Sequence, residues 1–252
     1  MIMKYGFVLP VYRHGATLGA VVESLVKFSL PIIVVDDGND SENRTLIAGV
    51  AEKYPLVTLV TRKKNGGKGR AMIDGIYKAH ELGLTHILQL DSDGQHDSEK
   101  ADRFLELSQQ NPDAIICACP QYDESAPLSR LNGRKIANAW IHIVTLSKDI
   151  KDPQVGFRVY PVEQLVDMLN HTLYIDGRMS FDIEVLVRMH WRGTRVISEP
   201  VRVFYPENGI SNYRYIDDTL RISGTYARLC LGLIPRFPVL IYRKIKRHFK
   251  KA

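Results

Sequence analysis

His86-Ile-Leu-Gln-Leu90-Asp91-Ser-Asp93-Gly-Gln95-His96-Asp97 runs largely apolar and then breaks into two carboxylates spaced Asp-x-Asp. A short apolar run bounded by turn residues predicts a buried strand. Carboxylates at the C-terminal edge of such a strand can share one hard divalent cation and leave its other positions for diphosphate oxygens. A plainer alternative stays open, in which the acids form an Asx turn capping a helix that starts near Ser98. Asp91, Asp93, Gln95, His96 and Asp97 nevertheless supply more metal-capable atoms than a turn needs. For a hard cation the oxygen donors Asp91, Asp93 and Gln95 are favoured over His96.

Outward from this stretch the same pattern recurs. Strand-like runs at 5–9, 32–36, 56–61, 86–90 and 114–119 alternate with helix-like stretches at 16–27, 41–54, 70–82 and 98–109. Such alternation predicts an α/β fold, a mainly parallel sheet flanked by helices. Parallel sheets take ligands outside the carboxyl ends of their strands. Pro10-Val-Tyr12 follows the first run, Asp36-Asp37-Gly38 the second, Asn65-Gly-Gly-Lys68-Gly69 the third and Asp91-Ser-Asp93 the fourth, so four strand ends are expected to meet at one crevice.

Each motif has a functional and a structural explanation. Asp36-Asp37-Gly38 is either a polar turn or a pair of carboxylates accepting from a nucleoside base N–H or a ribose hydroxyl. The glycine run with Lys68 resembles a phosphate cradle opening a helix, although its spacing does not match Gly-x-x-x-x-Gly-Lys-[Ser/Thr]. Asp152-Pro-Gln-Val-Gly156-Phe-Arg158 and Ser180-Phe-Asp182-Ile-Glu184 are compatible with structural roles, the latter acids complementing a helix dipole.

The second half reads as a helix at 131–147, a loop at 148–154, an apolar run at 156–160, a helix at about 181–191, a strand at 194–205 and a helical stretch at 216–233. No internal repeat or linker interrupts it. Residues 1–225 are expected to form one domain, with a donor half to about 120 and an acceptor half after it. Residues 226–252 form an apolar and then basic C-terminal segment.

Composition narrows the classes. The 252 residues are 45% hydrophobic and 25% charged, as in ordinary globular proteins. The N-terminus lacks the features of a signal peptide, which predicts a first strand in a cytoplasmic protein. Net charge is +6, but Arg236, Arg243, Lys244, Lys246, Arg247, Lys250 and Lys251 supply seven positives, leaving the rest near −1. A uniformly basic nucleic-acid surface is therefore not expected, and no nucleic acid is predicted as a partner. Leu229–Ile241 is apolar but interrupted by Pro235, Arg236 and Pro238, and is shorter than the ~20 residues of a spanning helix. Followed by basic residues, it predicts peripheral attachment to an anionic membrane surface; a helix packed on the domain is the alternative.

Taken in order, Pro10-Val-Tyr12, Val35-Asp36-Asp37-Gly38, Asn65-Gly-Gly-Lys68-Gly69-Arg-Ala71, Asp91-Ser-Asp93-Gly-Gln95-His96, Gly156-Phe-Arg158, Phe181-Asp-Ile-Glu184 and Gly209-Ile-Ser-Asn-Tyr213 resemble family 2 glycosyltransferases. The Asp-x-Asp-x-Gln-His variant looks most like the dolichyl- and polyprenyl-phosphate sugar transferases. The resemblance implies a GT-A fold, a UDP- or GDP-sugar donor, Mg²⁺ or Mn²⁺, a lipid-linked acceptor and inversion at the anomeric carbon. It also implies that Pro10, Tyr12, Asp37 and, beside it, Asp36 line the nucleoside pocket, and that Asp91 contacts ribose or metal. Asp93 and Gln95 then match the metal ligands.

Lys68 and Arg158 are candidate auxiliary charges for the donor, and Asp182 or Glu184 is the candidate base should the acceptor be a hydroxyl. The family's usual Pro-x-Tyr-Asn-Glu is here Pro10-Val-Tyr-Arg13-His14, so an acid that commonly contacts the base is replaced. A Gln-x-x-Arg-Trp motif is absent, which argues against polymer synthesis. The alternatives are a sugar-phosphate nucleotidyltransferase, whose Gly-rich basic signature Pro10–Gly15 does not supply, and a non-catalytic nucleotide-sugar-binding protein, against which the intact Asp91 and Asp93 speak.

Overall fold

Runs such as Ile32-Ile-Val-Val35, apolar at every position, can be buried only between two layers of helix. That is what the computed structural model shows; it describes residues 2–92, 100–121, 128–202 and 215–249. Among the described residues one sheet contains β1 (Tyr5–Val11), β2 (Ile32–Asp36), β3 (Val57–Thr61), β4 (His86–Gln89), β5 (Ala114–Gln121), β6 (Arg158–Pro161) and β7 (Arg195–Arg202). Their spatial order is β3-β2-β1-β4-β6-β5-β7. All neighbours are parallel except β6, which runs antiparallel to both β4 and β5.

Helices α1 (Gly15–Val26), α2 (Ser41–Lys53) and α4 (Ala101–Gln110) cover one face. The other carries α3 (Lys68–Glu81), α5 (Leu128–Thr145), α6 (Val162–Asn170), α7 (Phe181–Arg192) and α8 (Tyr215–Leu233). Alternate residues of β1 serve both cores: Phe7, Leu9 and Val11 on the first face, Val8 on the second. The expected α/β architecture is therefore present, with element ends displaced by a few residues. Helix α6 was not anticipated.

The tail is helical. After α8 a 3-10 turn (Ile234–Arg236) leads into α9 (Phe237–Phe249), with Pro235 and Pro238 at helix starts, where a missing N–H costs little. Helix α9 packs on the domain through buried Leu240 and through Arg243, whose Nη1 donates to Trp191 O at 2.8 Å. Among the described residues no helix is long and apolar enough to cross a membrane.

Candidate active site

The loops after β1 and β2 are tied together by Asn39. Its side-chain amide donates to Val11 O at 2.9 Å and to Asp36 Oδ1 at 2.7 Å, and its Oδ1 accepts from Arg13 N at 2.6 Å. Asp36 is fully buried; Arg44 Nε donates to its other oxygen at 3.3 Å. Arg13 sits in the left-handed region with φ 61°, and its guanidinium lies 5.2 Å from the Tyr12 ring centre. Pro10 lies within β1 and Tyr12 just beyond it, at the edge where both were expected.

Asp37 organises the glycine loop. Its carboxylate accepts from Gly66 N at 2.9 Å, Gly67 N at 2.8 Å and Asn65 Nδ2 at 2.8 Å, and pairs with Arg62 at 2.9 Å. Burial raises its pKa, opposed by the two glycine N–H groups and by Arg62. The loop thus spends these two N–H groups on an internal carboxylate, whereas the sequence suggested a phosphate cradle. Gly67 caps α3 at φ 92°, a conformation that only glycine adopts freely.

Beyond that turn, Lys68 reaches across the strand ends. Its Nζ lies 2.6 Å from Asp91 Oδ1 and 2.9 Å from Asp182 Oδ2. Burial opposes the ammonium charge, but the paired carboxylates of Asp182 and Asp91 outweigh it and raise the lysine pKa. Gln89 Nε2 donates to Asp182 Oδ1 at 2.9 Å. Both oxygens of Asp182, with only 4% of its side chain exposed, are therefore engaged.

Gln89 and Arg158 face each other in the β4–β6 ladder. Arg158 is fully buried, donating to Asp182 O at 2.6 Å, Pro153 O at 2.7 Å and the Tyr160 hydroxyl at 3.1 Å. It was expected to assist the donor; the structure instead encloses it beneath the site, clamping the backbone of Asp182 and the loop that carries Gly156. A Cβ at Gly156 would lie 2.5 Å from Lys68 Nζ and 2.8 Å from Asp91 Oδ2, so any side chain here would displace the pair.

Glu184 takes a different path from Asp182. Two residues apart on α7, they point to different sides of the helix. Glu184 is fully buried, accepts from Asp176 N at 3.0 Å and pairs with Arg188 at 2.6 Å and Arg228 at 3.3 Å. Its carboxylate, the other candidate base of the sequence, is occupied by two guanidiniums, whereas Asp182 is the one that meets Lys68.

Asp93, Gln95, His96, Asp97 and the stretch 209–213 lie outside the described residues. Ser92, the middle residue of Asp-x-Asp, is described. Its hydroxyl donates to Pro10 O at 3.0 Å and its carbonyl accepts from Thr17 Oγ1 at 2.7 Å, which fixes Ser92 against β1 and α1. Sequence reasoning passed over Ser92, Asn39 and Gln89. A polar residue inside an apolar run was the available signal for Gln89; nothing local marked the others.

Asp91 offers a hard oxygen donor, 27% exposed, at a strand edge with Gly156 beside it, a donor type that suits a divalent cation; among the described residues no three such ligands gather. Lys68 now lies against the same carboxylate.

Residues 7–163 match the model of the family described as Glycosyl transferase family 2. The chain is 28% identical over 241 residues to dolichyl-phosphate beta-glucosyltransferase ALG5C of Trichomonas vaginalis, covering 86% of this chain and 66% of that one. Against dolichyl-phosphate beta-glucosyltransferase of Dictyostelium discoideum it is 26% identical over 200 residues, covering 71% and 60%. It thus spans about two thirds or less of these curated relatives. Among solved structures, glucosyl-3-phosphoglycerate synthase from Mycobacterium tuberculosis, in complex with Mn²⁺, UDP-glucose and phosphoglyceric acid, superposes with a TM-score of 0.66 at 13% identity, covering 93% of this chain and 79% of that one. That likeness concerns the GT-A fold.

Proposed function

The chain belongs to glycosyl transferase family 2, and from that premise we propose that it moves a single sugar, with inversion, from a UDP- or GDP-sugar to a lipid-linked phosphate. The observation that carries the acceptor class is the state of Asp182. A hydroxyl acceptor must surrender a proton to a base, whereas a phosphate arrives ionised and needs only positioning. Among the described residues Asp182 is the candidate base that shares Lys68 with Asp91, and both its oxygens are held by Lys68 and Gln89. That engagement supports an acceptor needing no base.

In this reading Asp182 is a positioning residue. It fixes Lys68 between two carboxylates, and Lys68 in turn holds Asp91 at the strand edge. Pro10 and Tyr12 flank the nucleoside, while Asp36 and Asp37 shape the loops around it. Asp91, with Asp93 and Gln95, would hold Mg²⁺ or Mn²⁺, which offsets the charge developing on the departing nucleoside diphosphate. The names of the dolichyl-phosphate relatives and the Mn²⁺ and UDP-glucose of the structural relative support this assignment.

The protein is further proposed to act as a peripheral enzyme on the cytoplasmic face of a membrane through α9. This helix exposes Phe237, Tyr242, Ile245 and Phe249 beside exposed Lys244 and Lys246. Each positive charge near an anionic surface contributes about 1 kcal/mol.

A donor panel tests the activity: UDP- and GDP-sugars, Mn²⁺, and either a polyprenyl phosphate or the matching polyprenol. The expectation is nucleoside diphosphate release with the phosphate only, abolished by EDTA and by Asp93→Ala. Release with polyprenol alone would overturn the acceptor class, and no metal-dependent release with any donor would overturn the reading itself. For the membrane, Lys244→Glu with Lys246→Glu should reduce sedimentation with anionic vesicles; deleting the helix is a poorer test because Leu240 belongs to the core.

A further inference from the structure

Helix α5 is apolar on both sides. Its inward face contributes Ala137, Ile141 and Val144 to the core. On the outward face Ile136, Trp140 and Ile143, spaced i, i+4, i+7, form a single stripe exposed by 62%, 41% and 50%. A helix bordering water normally carries polar residues there, and contiguous exposed apolar surface marks an interaction site.

The charge around this stripe identifies what covers it. From Leu128 to Lys148 there is no acidic residue, and Arg130, Arg134, Lys135 and Lys148 are basic. Lys135, next to Ile136, and Lys148, three residues past the end of α5, are both exposed. An apolar stripe with an exposed tryptophan, on a helix that carries basic residues and no acid, has the composition of a helix lying in a headgroup layer.

Position supports the same partner. The Trp140 ring lies 6.0 Å from that of Tyr226 on α8, whose hydroxyl donates to Ala137 O at 3.1 Å. Further along, Trp191 Nε1 donates to Val144 O at 2.7 Å and carries Arg236 over its ring at 4.8 Å. Arg247 of α9 pairs with Asp149, just past the end of α5. Helix α5 therefore packs on α8 and on α7, the helix to which Arg243 ties α9, and it shares the acid-free, apolar and basic make-up of α9.

We infer that the outward stripe of α5, Ile136, Trp140 and Ile143 with exposed Lys135 and Lys148 near it in sequence, is a second surface for an anionic bilayer, so that the protein sits on the lipid through two helices rather than its tail alone. The inference rests on the membrane reading of α9 and adds a footprint beneath the catalytic domain itself.

Trp140 and Trp191 are the only tryptophans, and Trp191 is buried, so Trp140 reports the stripe directly. The full chain is mixed with phosphatidylglycerol vesicles carrying brominated acyl chains, and with phosphatidylcholine vesicles as control. Expected are a blue shift and quenching on the anionic vesicles, both lost in Trp140→Phe. Binding should weaken about tenfold or more in Ile136→Ser with Ile143→Ser. Sedimentation with vesicles but unchanged Trp140 emission would overturn the second surface and leave the α9 reading standing. Absence of sedimentation would overturn both. A blue shift that grows with protein concentration without lipid would assign the stripe to a second copy of the chain and overturn the inference.

Discussion

Lys68 Nζ stands 2.9 Å from Asp182 Oδ2, linking the first turn of α3 to the first turn of α7 across the carboxyl edge of the sheet. The two residues are 114 positions apart, yet their charges are enclosed together, and Asp91 shares the same ammonium. Removing one member of such a buried set leaves an uncompensated charge.

Lys68→Met is therefore expected to cost about 3 kcal/mol of stability in chemical denaturation. Combining it with Asp182→Asn should recover part of that loss, giving a coupling of about 1–3 kcal/mol in a double-mutant cycle. Strictly additive effects would show that the pair is not energetically linked.

Glu184→Gln separates the two acids of α7. Its carboxylate is paired with Arg188 and Arg228, so the substitution should lower stability by about 3 kcal/mol while kcat stays within about twofold. A large fall in kcat with unchanged stability would restore Glu184 to the chemistry.

Gly156→Ala places a methyl group against Lys68 Nζ and Asp91 Oδ2. The lysine tip can move, so the fold should survive with unchanged circular dichroism. The displaced pair should still lower turnover by about 100-fold, the scale of a 1 Å misplacement at a reacting centre. Wild-type turnover would mean that the site does not depend on this close approach.

His190 makes stability depend on pH. Burial lowers its pKa to about 4, helped by Arg247 and Arg243 and opposed by Asp149, whose Oδ2 lies 4.0 Å away. The unfolded chain takes up its proton near pH 6.5 and the folded one only near 4, so stability should fall as pH drops through that interval, by up to about 3 kcal/mol. His190→Phe should flatten this part of the curve in thermal melts taken between pH 7 and 4. Parallel curves for the two proteins would remove His190 as the cause.

Local pattern carried much of this architecture. Residues 32–36 are bounded alike in sequence and structure because an apolar run ending in Asp36-Asp37-Gly38 has nowhere else to stop. Helix α6 was missed although Val162, Leu165, Val166 and Leu169 have helical spacing after Pro161, because a nine-residue helix offers few turns over which to see it. At the site the strand-edge acids were legible; their partners were not. Asp37 in the glycine loop and Arg158 beneath Asp182 are determined by contacts distant in sequence, and a charged residue type does not reveal whether it meets a ligand or another part of the chain.

Strand β6 lies between β4 and β5, yet leaves the ribosome after both. During synthesis β4 therefore presents an unpaired edge until residues 158–161 have emerged, and β5 waits with it. Such late, non-local pairing slows folding and prolongs exposure of a sticky border. A polypeptide cut between residues 121 and 128 would lack this wedge. The two halves of the sheet are consequently poor candidates for independent expression, and a split-reporter design that divides the chain between β5 and β6 should not assemble.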